Sequence, residues 1–147
     1  MFKKFFRGLH PKFQQALASK NSPQEIALGF AVGTAIAILP TFGLGAIIGI
    51  ILVLIFKKLN PVSLILAFIF WNPLLLWLSA IMSFLIGNVI FNDSSSFSFY
   101  NGNFADILWN YSAKFFLGNI ILTTFLTIVS YVVVYYFISF YKDKSKK

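Results

Sequence analysis

The chain has 147 residues, of which 59% are hydrophobic and only 11% charged, and its formal net charge is +8. Soluble domains contain roughly a quarter charged residues, so this composition indicates an all-α integral membrane protein, and we expect residues 1–147 to form a single membrane domain. The absence of cysteine excludes disulfides, thiolate nucleophiles and cysteine-based metal sites.

Three long segments, residues 26–56, 59–91 and 115–141, contain no Asp, Glu, Lys or Arg. Each exceeds the roughly 20 apolar residues that cross a bilayer as a helix. Eleven of the twelve basic residues fall before the first segment, at Lys57 and Lys58, or after residue 141. The positive-inside bias places such basic flanks in the cytoplasm, so we predict cytoplasmic N- and C-termini. The same distribution favours membrane lipids over nucleic acid as the partner of the basic residues.

Residues 1–22 form a basic arm in which aromatic and aliphatic residues recur at helical spacing. Two interpretations stay open: an amphipathic helix lying on the cytoplasmic leaflet, or a solvated basic tail that only sets the orientation. At the end of the arm, Ser22 can cap a helix, and Pro23 suits the first helical position. Glu25 in the first turn is then explained by the helix dipole and needs no catalytic role.

The segment 23–58 is interrupted at its centre by Pro40–Gly43, within the sequence ILPTFGLG. Because both the arm and Lys57-Lys58 are basic, we expect the segment to begin and end on the same side of the membrane. Each half contains about 14 residues, or roughly 20 Å of helix, which is less than the thickness of the hydrocarbon core. We therefore predict a membrane-buried helical hairpin with its turn at Thr41-Phe42, where Gly43 lets the backbone reverse.

Small residues form a row on either side of this turn. In membranes such rows let helix backbones approach each other closely. The two rows are mirror images about Thr41, so a hairpin would place Ala37 opposite Gly45 and Gly33 opposite Gly49. The predicted helix-packing residues are Gly29, Gly33, Ala37, Gly45 and Gly49.

The segment 60–91 begins at Asn60-Pro61 and is interrupted at Asn72-Pro73. Proline lacks the amide hydrogen of a helical residue, and it disfavours helical geometry in the residue before it. The segment therefore reaches the outer side either as one proline-kinked spanning helix or as a short helix followed by a longer one over 73–91. The predicted helix breaks are Pro40, Pro61 and Pro73.

Residues 92–113 contain Asp93 and Asp106 and no basic residue, and they are rich in Ser, Asn and Gly. This composition predicts an external loop, with a short surface helix near its end. Residues 114–141 then return to the cytoplasm as a C-terminal spanning helix, and residues 142–147 form a basic tail.

Catalytic groups are nearly absent from the sequence. His10 is the only histidine, and the four acidic residues are scattered along the chain. The apolar segments contain no catalytic triad, no metal-ligand spacing and no phosphate-binding loop. We therefore expect a protein that is not an enzyme and that uses no cofactor or metal.

Broken helices are the feature best suited to hold a ligand. The helices that start near Gly43 and Pro73 would each present uncapped backbone amides, whose positive dipole end attracts anionic groups. The alternative is that the polar groups near these breaks satisfy one another inside a structural core. The candidate ligand-binding residues are Thr41, Gly43, Asn72, Ser63 and Asn88.

Small residues and prolines occur in a characteristic order: Ser22-Pro23, Ile26-Ala27, Gly29, Ala31, Gly33, Pro40, Gly43, Asn72-Pro73 and Gly87. Over residues 20–91 this order resembles the bacterial domain-of-unknown-function 2062 family. The resemblance implies a small integral membrane protein of uncharacterised activity, and we expect it in the bacterial cytoplasmic (inner) membrane. The family's domain also occurs joined to glycosyltransferase-like domains, which implies work near lipid-linked sugars or envelope lipids.

These features support two hypotheses of function. In the first, the protein is a membrane module that binds or translocates an anionic lipid or lipid-linked solute at its broken helices. In the second, it is a non-transporting scaffold or anchor for a partner enzyme of the cell envelope. One hairpin and two spans make a thin bundle, so we also expect a homo-oligomer or a complex with a partner membrane protein.

Overall fold

The computed structural model describes residues 22–41, 43–91 and 104–144, and this part of the chain is helical and contains no strand. The all-α prediction is therefore confirmed for the described residues. The predicted arm up to residue 21, Phe42, most of the predicted external loop and the end of the tail lie outside them. The helices are α1 (Pro23–Ile38), α2 (Gly45–Ile55), α3 (Pro61–Phe70), α4 (Pro73–Ile90) and α5 (Phe104–Lys144).

Three helix starts follow the signals in the sequence. At α1, the Ser22 hydroxyl accepts a hydrogen bond from the amide of Glu25 at 3.2 Å, and the Glu25 carboxylate accepts one from the amide of Ser22 at 2.9 Å. This reciprocal pair is a capping box, which satisfies two backbone amides at the helix start. Asn60 caps α3 and Asn72 caps α4 with their side-chain oxygens, and each is followed by a proline at the first helical position.

The chain doubles back between α1 and α2. α1 ends at Ile38 and α2 begins at Gly45, so the break lies where Pro40–Gly43 predicted it. After α2, the amide of Asn60 donates a hydrogen bond to the carbonyl of Glu25 at 3.4 Å. The segment thus begins and ends at the same end of the bundle, which is the chain geometry that a hairpin requires.

The small residues of α1 pack differently from the predicted mirror-image pairing with α2. Gly29 and Gly33 face α3, where a β-carbon on Gly33 would come within 2.7 Å of the β-carbon of Ala67. Gly49 of α2 also faces side chains of α3 and not Gly33. The predicted pairing of Gly33 with Gly49 fails because a row of small residues specifies a close approach but does not specify which helix approaches.

α4 and α5 run antiparallel and in close contact. The backbone of Lys114 lies where a β-carbon on Gly87 would be, and the backbone carbonyl of Ser83 lies in the corresponding place beside Gly118. A side chain at either glycine would therefore push the two backbones apart. The α4–α5 pair thus depends on small residues in both helices, as membrane helix pairs commonly do.

α5 is longer than the predicted spanning helix over 114–141. It begins at Phe104, inside the predicted external loop, and it continues to Lys144, inside the predicted basic tail. The expected short surface helix is the first part of α5. No proline or glycine occurs between Phe104 and Leu117, so no residue there ends the helix before the apolar segment begins.

Among the described residues, two helices are long and apolar enough to cross a membrane, by length and composition: Pro73–Ile90 and, within α5, Trp109–Asp143. Each of these helices contains an apolar stretch of 18 residues, and only 17% of that stretch in the first helix and 11% in the second is buried inside the fold. A core helix of a soluble protein passes the same test of length but is mostly buried. The other apolar helices, α1, α2 and α3, are shorter.

Candidate functional site

The break between α1 and α2 forms one wall of the candidate site. Leu39 is extended, with φ −61° and ψ 140°, as expected for a residue before proline. The amide of Thr41 donates to the carbonyl of Leu39 at 2.7 Å, and the amide of Leu44 donates to the carbonyl of Thr41 at 2.9 Å. Gly43 has a φ of +89°, in the left-handed region that disfavours residues with a β-carbon. Two tight turns therefore carry the chain from α1 into α2.

A cavity of 460 Å³ lies beside this break, and we call it the break cavity. Its walls come from the break, from the first turn of α2, and from α3, α4 and α5. Polar side chains reach it from three directions: Thr41 from the break, Ser79 from α4 and Asn119 from α5. Apolar and aromatic residues complete the walls, among them Ile36, Ala37, Phe68, Trp71, Leu76, Ala80 and Phe115.

The N-terminus of α2 differs from those of α1, α3 and α4. Those three helices have side-chain caps, whereas α2 follows Leu44 without a side-chain hydrogen bond to its first turn. Gly45 and Ala46 of this first turn line the break cavity. The Thr41 hydroxyl is adjacent, since a β-carbon on Gly45 would lie 3.0 Å from its oxygen. A helix N-terminus carries partial positive charge, so this wall of the cavity favours an anionic group.

Asn119 connects the break to α5. Its side-chain amide donates to the carbonyl of Ile38 and to the hydroxyl of Ser83, each at 3.3 Å. The Ile38 carbonyl belongs to the last turn of α1, where carbonyls have no partner within the helix. Thr123 donates to the side-chain oxygen of Asn119 at 3.4 Å, and Asn119 is only 2% exposed. Asn119 thus satisfies the last carbonyl of α1 and also lines the break cavity.

Sequence comparison supports a family assignment over nearly the whole chain. A family model described as an uncharacterized protein conserved in bacteria (DUF2062) matches residues 6–147. The chain belongs to this family. The match includes residues 20–91, whose motifs predicted the family, and it extends through α5. Comparison with curated proteins and with solved structures gives no match.

In this DUF2062 protein, the candidate ligand-binding residues do not form a single site. Thr41 and Gly43 line the break cavity, whereas Asn72 does not. The side-chain oxygen of Asn72 accepts hydrogen bonds from the amides of Leu74 and Leu75 at 3.0 and 3.2 Å. The prediction of uncapped amides at the start of α4 is therefore wrong, because Asn72 itself is the cap.

Ser63 and Asn88 also lie away from the break cavity. Ser63 is buried at the start of α3, where its hydroxyl donates to the carbonyl of Asn60 at 2.9 Å. Its hydroxyl packs against Gly29 of α1. Asn88 lies near the end of α4, and its buried side-chain oxygen has no hydrogen-bond partner in the described part of the chain. Ser63 lines a cavity of 530 Å³ and Asn88 lines a different one of 500 Å³, so the structure does not bring the two residues together at one ligand site.

Sequence analysis did not select Asn119, although a signal was present. Asn119 is the only asparagine in the charge-free segment 115–141, and an amide side chain in such a segment usually finds a hydrogen-bond partner. Trp71 was also missed. Its indole N–H donates to the Thr34 hydroxyl at 3.1 Å, and this hydrogen bond connects the break between α3 and α4 to α1.

The groups around the break cavity suit binding. They comprise hydroxyls, a carboxamide and the N-terminal end of a helix dipole. The Ser79 hydroxyl donates to the carbonyl of Leu76 at 2.8 Å, which leaves its oxygen able to accept a hydrogen bond from a ligand. In residues 22–41, 43–91 and 104–144, no group of three or more His, Cys, Asp or Glu side chains is placed to hold a metal ion. The groups that line the break cavity offer hydrogen bonds and the attraction of a helix dipole.

Proposed function

We propose that this protein is a non-enzymatic integral protein of the bacterial inner membrane that binds and translocates an anionic lipid or lipid-linked solute at the break cavity. The exposed apolar surface of α4 supports the membrane location. Leu74, Trp77 and Val89 are 78%, 75% and 80% exposed. Burying such surface away from water is favourable by about 25 cal/mol per Å². A bilayer provides that burial along the whole length of the helix.

The observation that supports an anionic ligand is a cavity lined in part by polar side chains, at the end of a broken helix in an otherwise apolar bundle. Irregular backbone at membrane depth is tolerated where protein covers it or where it lines a cavity. At this break the last carbonyl of α1 accepts a hydrogen bond from Asn119, whereas the start of α2 has no side-chain cap and faces the cavity. The positive end of the α2 dipole favours a phosphate or another anionic group at this position.

The proposal includes a re-entrant path for α1 and α2. These helices contain 16 and 11 residues, which correspond to roughly 24 and 16 Å and are shorter than a hydrocarbon core of about 30 Å. The contact between Glu25 and Asn60 supports a common entry and exit side. Lys57 and Lys58 favour the cytoplasm as that side. On this path the break cavity lies within the membrane, beside Asn119 of the spanning helix.

Reconstitution into liposomes that contain a fluorescent anionic lipid tests this proposal. Ala46 lines the break cavity in the first turn of α2, so Ala46→Phe fills the cavity. Ile51→Phe is the matched control, because Ile51 is 48% exposed on the same helix. We expect lipid movement above that of empty vesicles, loss of this movement in A46F, and its retention in I51F.

The result that would overturn the proposal is wild-type protein that neither binds nor moves the lipid above empty vesicles. That outcome would favour the second hypothesis, a scaffold that anchors a partner envelope enzyme and transports nothing. Equal loss of movement in both Phe variants would show that the break cavity is not the path.

A further inference from the structure

A groove opens between α1 and α2 away from their shared tip. The two helices meet near the break, where Ile36 would lie 3.3 Å from a β-carbon on Gly45. Toward the start of α1, Gly29 and Gly33 pack against α3. Because α1 turns its small-residue face to α3, it does not close on α2 there. The two helices enclose a cavity of 620 Å³ instead, which we call the basic groove.

The walls of the basic groove are apolar and come from both helices and from the loop after α2. Its mouth carries two positive charges, because Lys57 and Lys58 follow α2 directly, are exposed and line the same cavity. The apolar wall residues are Leu28, Val32, Leu52, Ile55, Phe56 and Leu59.

Acidic residues are scarce in the chain segments next to the two lysines. Residues 26–92 contain no Asp or Glu. The carboxylate of Glu25, at the start of α1, accepts a hydrogen bond from the amide of Ser22 at 2.9 Å. Within the described residues, neither Lys57 nor Lys58 forms an ion pair. The groove therefore combines an apolar interior with a positive charge available to a ligand.

We infer that the basic groove binds an anionic glycerophospholipid, with an acyl chain against the apolar walls and the phosphate beside Lys57 and Lys58. The inference rests on the proposed membrane location but not on the break cavity. Each basic residue near a membrane surface contributes about a fivefold gain in affinity for an anionic headgroup. The apolar walls add a requirement for the acyl chain, which a free phosphate or an acidic peptide lacks.

Native mass spectrometry of the full chain in detergent measures this binding. Phosphatidylglycerol and phosphatidylcholine with identical acyl chains are added in separate titrations. We expect the wild-type protein to bind phosphatidylglycerol more tightly. Replacing both lysines, K57Q together with K58Q, should weaken phosphatidylglycerol binding about 25-fold and leave phosphatidylcholine binding unchanged. The matched control K146Q together with K147Q removes the same charge from the C-terminal tail and should keep the preference.

A second variant tests the apolar part of the groove without changing charge. Leu52→Trp fills the groove from the α2 side and should weaken binding of both lipids, while glycerol 3-phosphate should fail to compete with phosphatidylglycerol. Equal binding of the two lipids by the wild-type protein would overturn the inference. So would equal losses in the two double-lysine variants, or competition by glycerol 3-phosphate. If the wild-type protein shows no preference for phosphatidylglycerol but still moves lipid in a way that depends on Ala46, this inference is wrong and the proposed function stands.

Discussion

The side-chain amide of Asn119 donates a hydrogen bond to the backbone carbonyl of Ile38 at 3.3 Å, across 81 positions of sequence. The contact exists because the break after Ile38 leaves this carbonyl without a partner in its own helix. In an apolar bundle an unpaired carbonyl costs free energy, since no water replaces the missing donor. The residue that closes the end of α1 is therefore also a wall of the break cavity, and changes to it affect both the fold and the site.

Replacing Asn119 with Leu should lower the free energy of unfolding by about 1–2 kcal/mol, because Ile38 and Ser83 lose their shared donor. Unfolding in mixed detergent micelles measures the change. Thr124→Val is the matched control: Thr124 is exposed on α5 and its hydroxyl donates only to the carbonyl of Ile120, at 2.8 Å. Its effect should stay within about 0.5 kcal/mol. Equal losses in the two variants would contradict the connecting role of Asn119.

Gly43→Ala should destabilise the protein through its backbone alone. Gly43 has a φ of +89°, and no atom lies within 4 Å of a β-carbon placed there. The cost is therefore conformational and should be about 1–2 kcal/mol. Gly43→Asn should cost less, because asparagine tolerates the left-handed region better than alanine. The same unfolding measurement compares them, and an Ala variant as stable as wild type would show that the turn does not need this geometry.

Three helix starts could be predicted from the sequence because their causes are local. Ser22-Pro23, Asn60-Pro61 and Asn72-Pro73 each place a capping side chain directly before a proline, and a helix starts at all three. The helix partners could not be predicted in this way. Gly29 and Gly33 indicate a close approach of some helix, but the choice of α3 over α2 depends on the packing of the whole bundle.

The candidate site was predicted only in part, because some of its residues are marked by local sequence and others are placed by distant contacts. Thr41 and Gly43 line the cavity and belong to the break, which Pro40 and Gly43 mark in the sequence. Asn119 was not found because its main partner is a backbone carbonyl on a distant helix, and such a partner leaves no pattern in the sequence. Asn72 was misassigned because the sequence of a helix start does not tell whether the asparagine caps its own helix or faces a ligand.

Gly87→Ala should separate α4 from α5. A β-carbon at Gly87 would overlap the backbone of Lys114, which cannot move without shifting the helix. Overpacking of this kind should cost about 3 kcal/mol. Gly49→Ala is the matched control, because its β-carbon would meet the side-chain atoms of Leu64 and Phe68 at 3.1 and 3.3 Å, which can rotate away. Unfolding in detergent should rank G87A well below G49A in stability, and the reverse order would contradict the described α4–α5 contact.

The topology can be tested with single cysteines, since the sequence contains none. Lys57→Cys places a thiol in the loop after α2, at the end of the bundle where Glu25 meets Asn60. Ser95→Cys places one in the segment after α4, and Asp143→Cys places one at the end of α5. In right-side-out vesicles, a membrane-impermeant maleimide should label S95C, whereas K57C and D143C should react only after permeabilisation. Because a re-entrant α1–α2 pair returns to the side from which it came, labelling of K57C from outside would show that this segment crosses the membrane and that the hairpin is wrong.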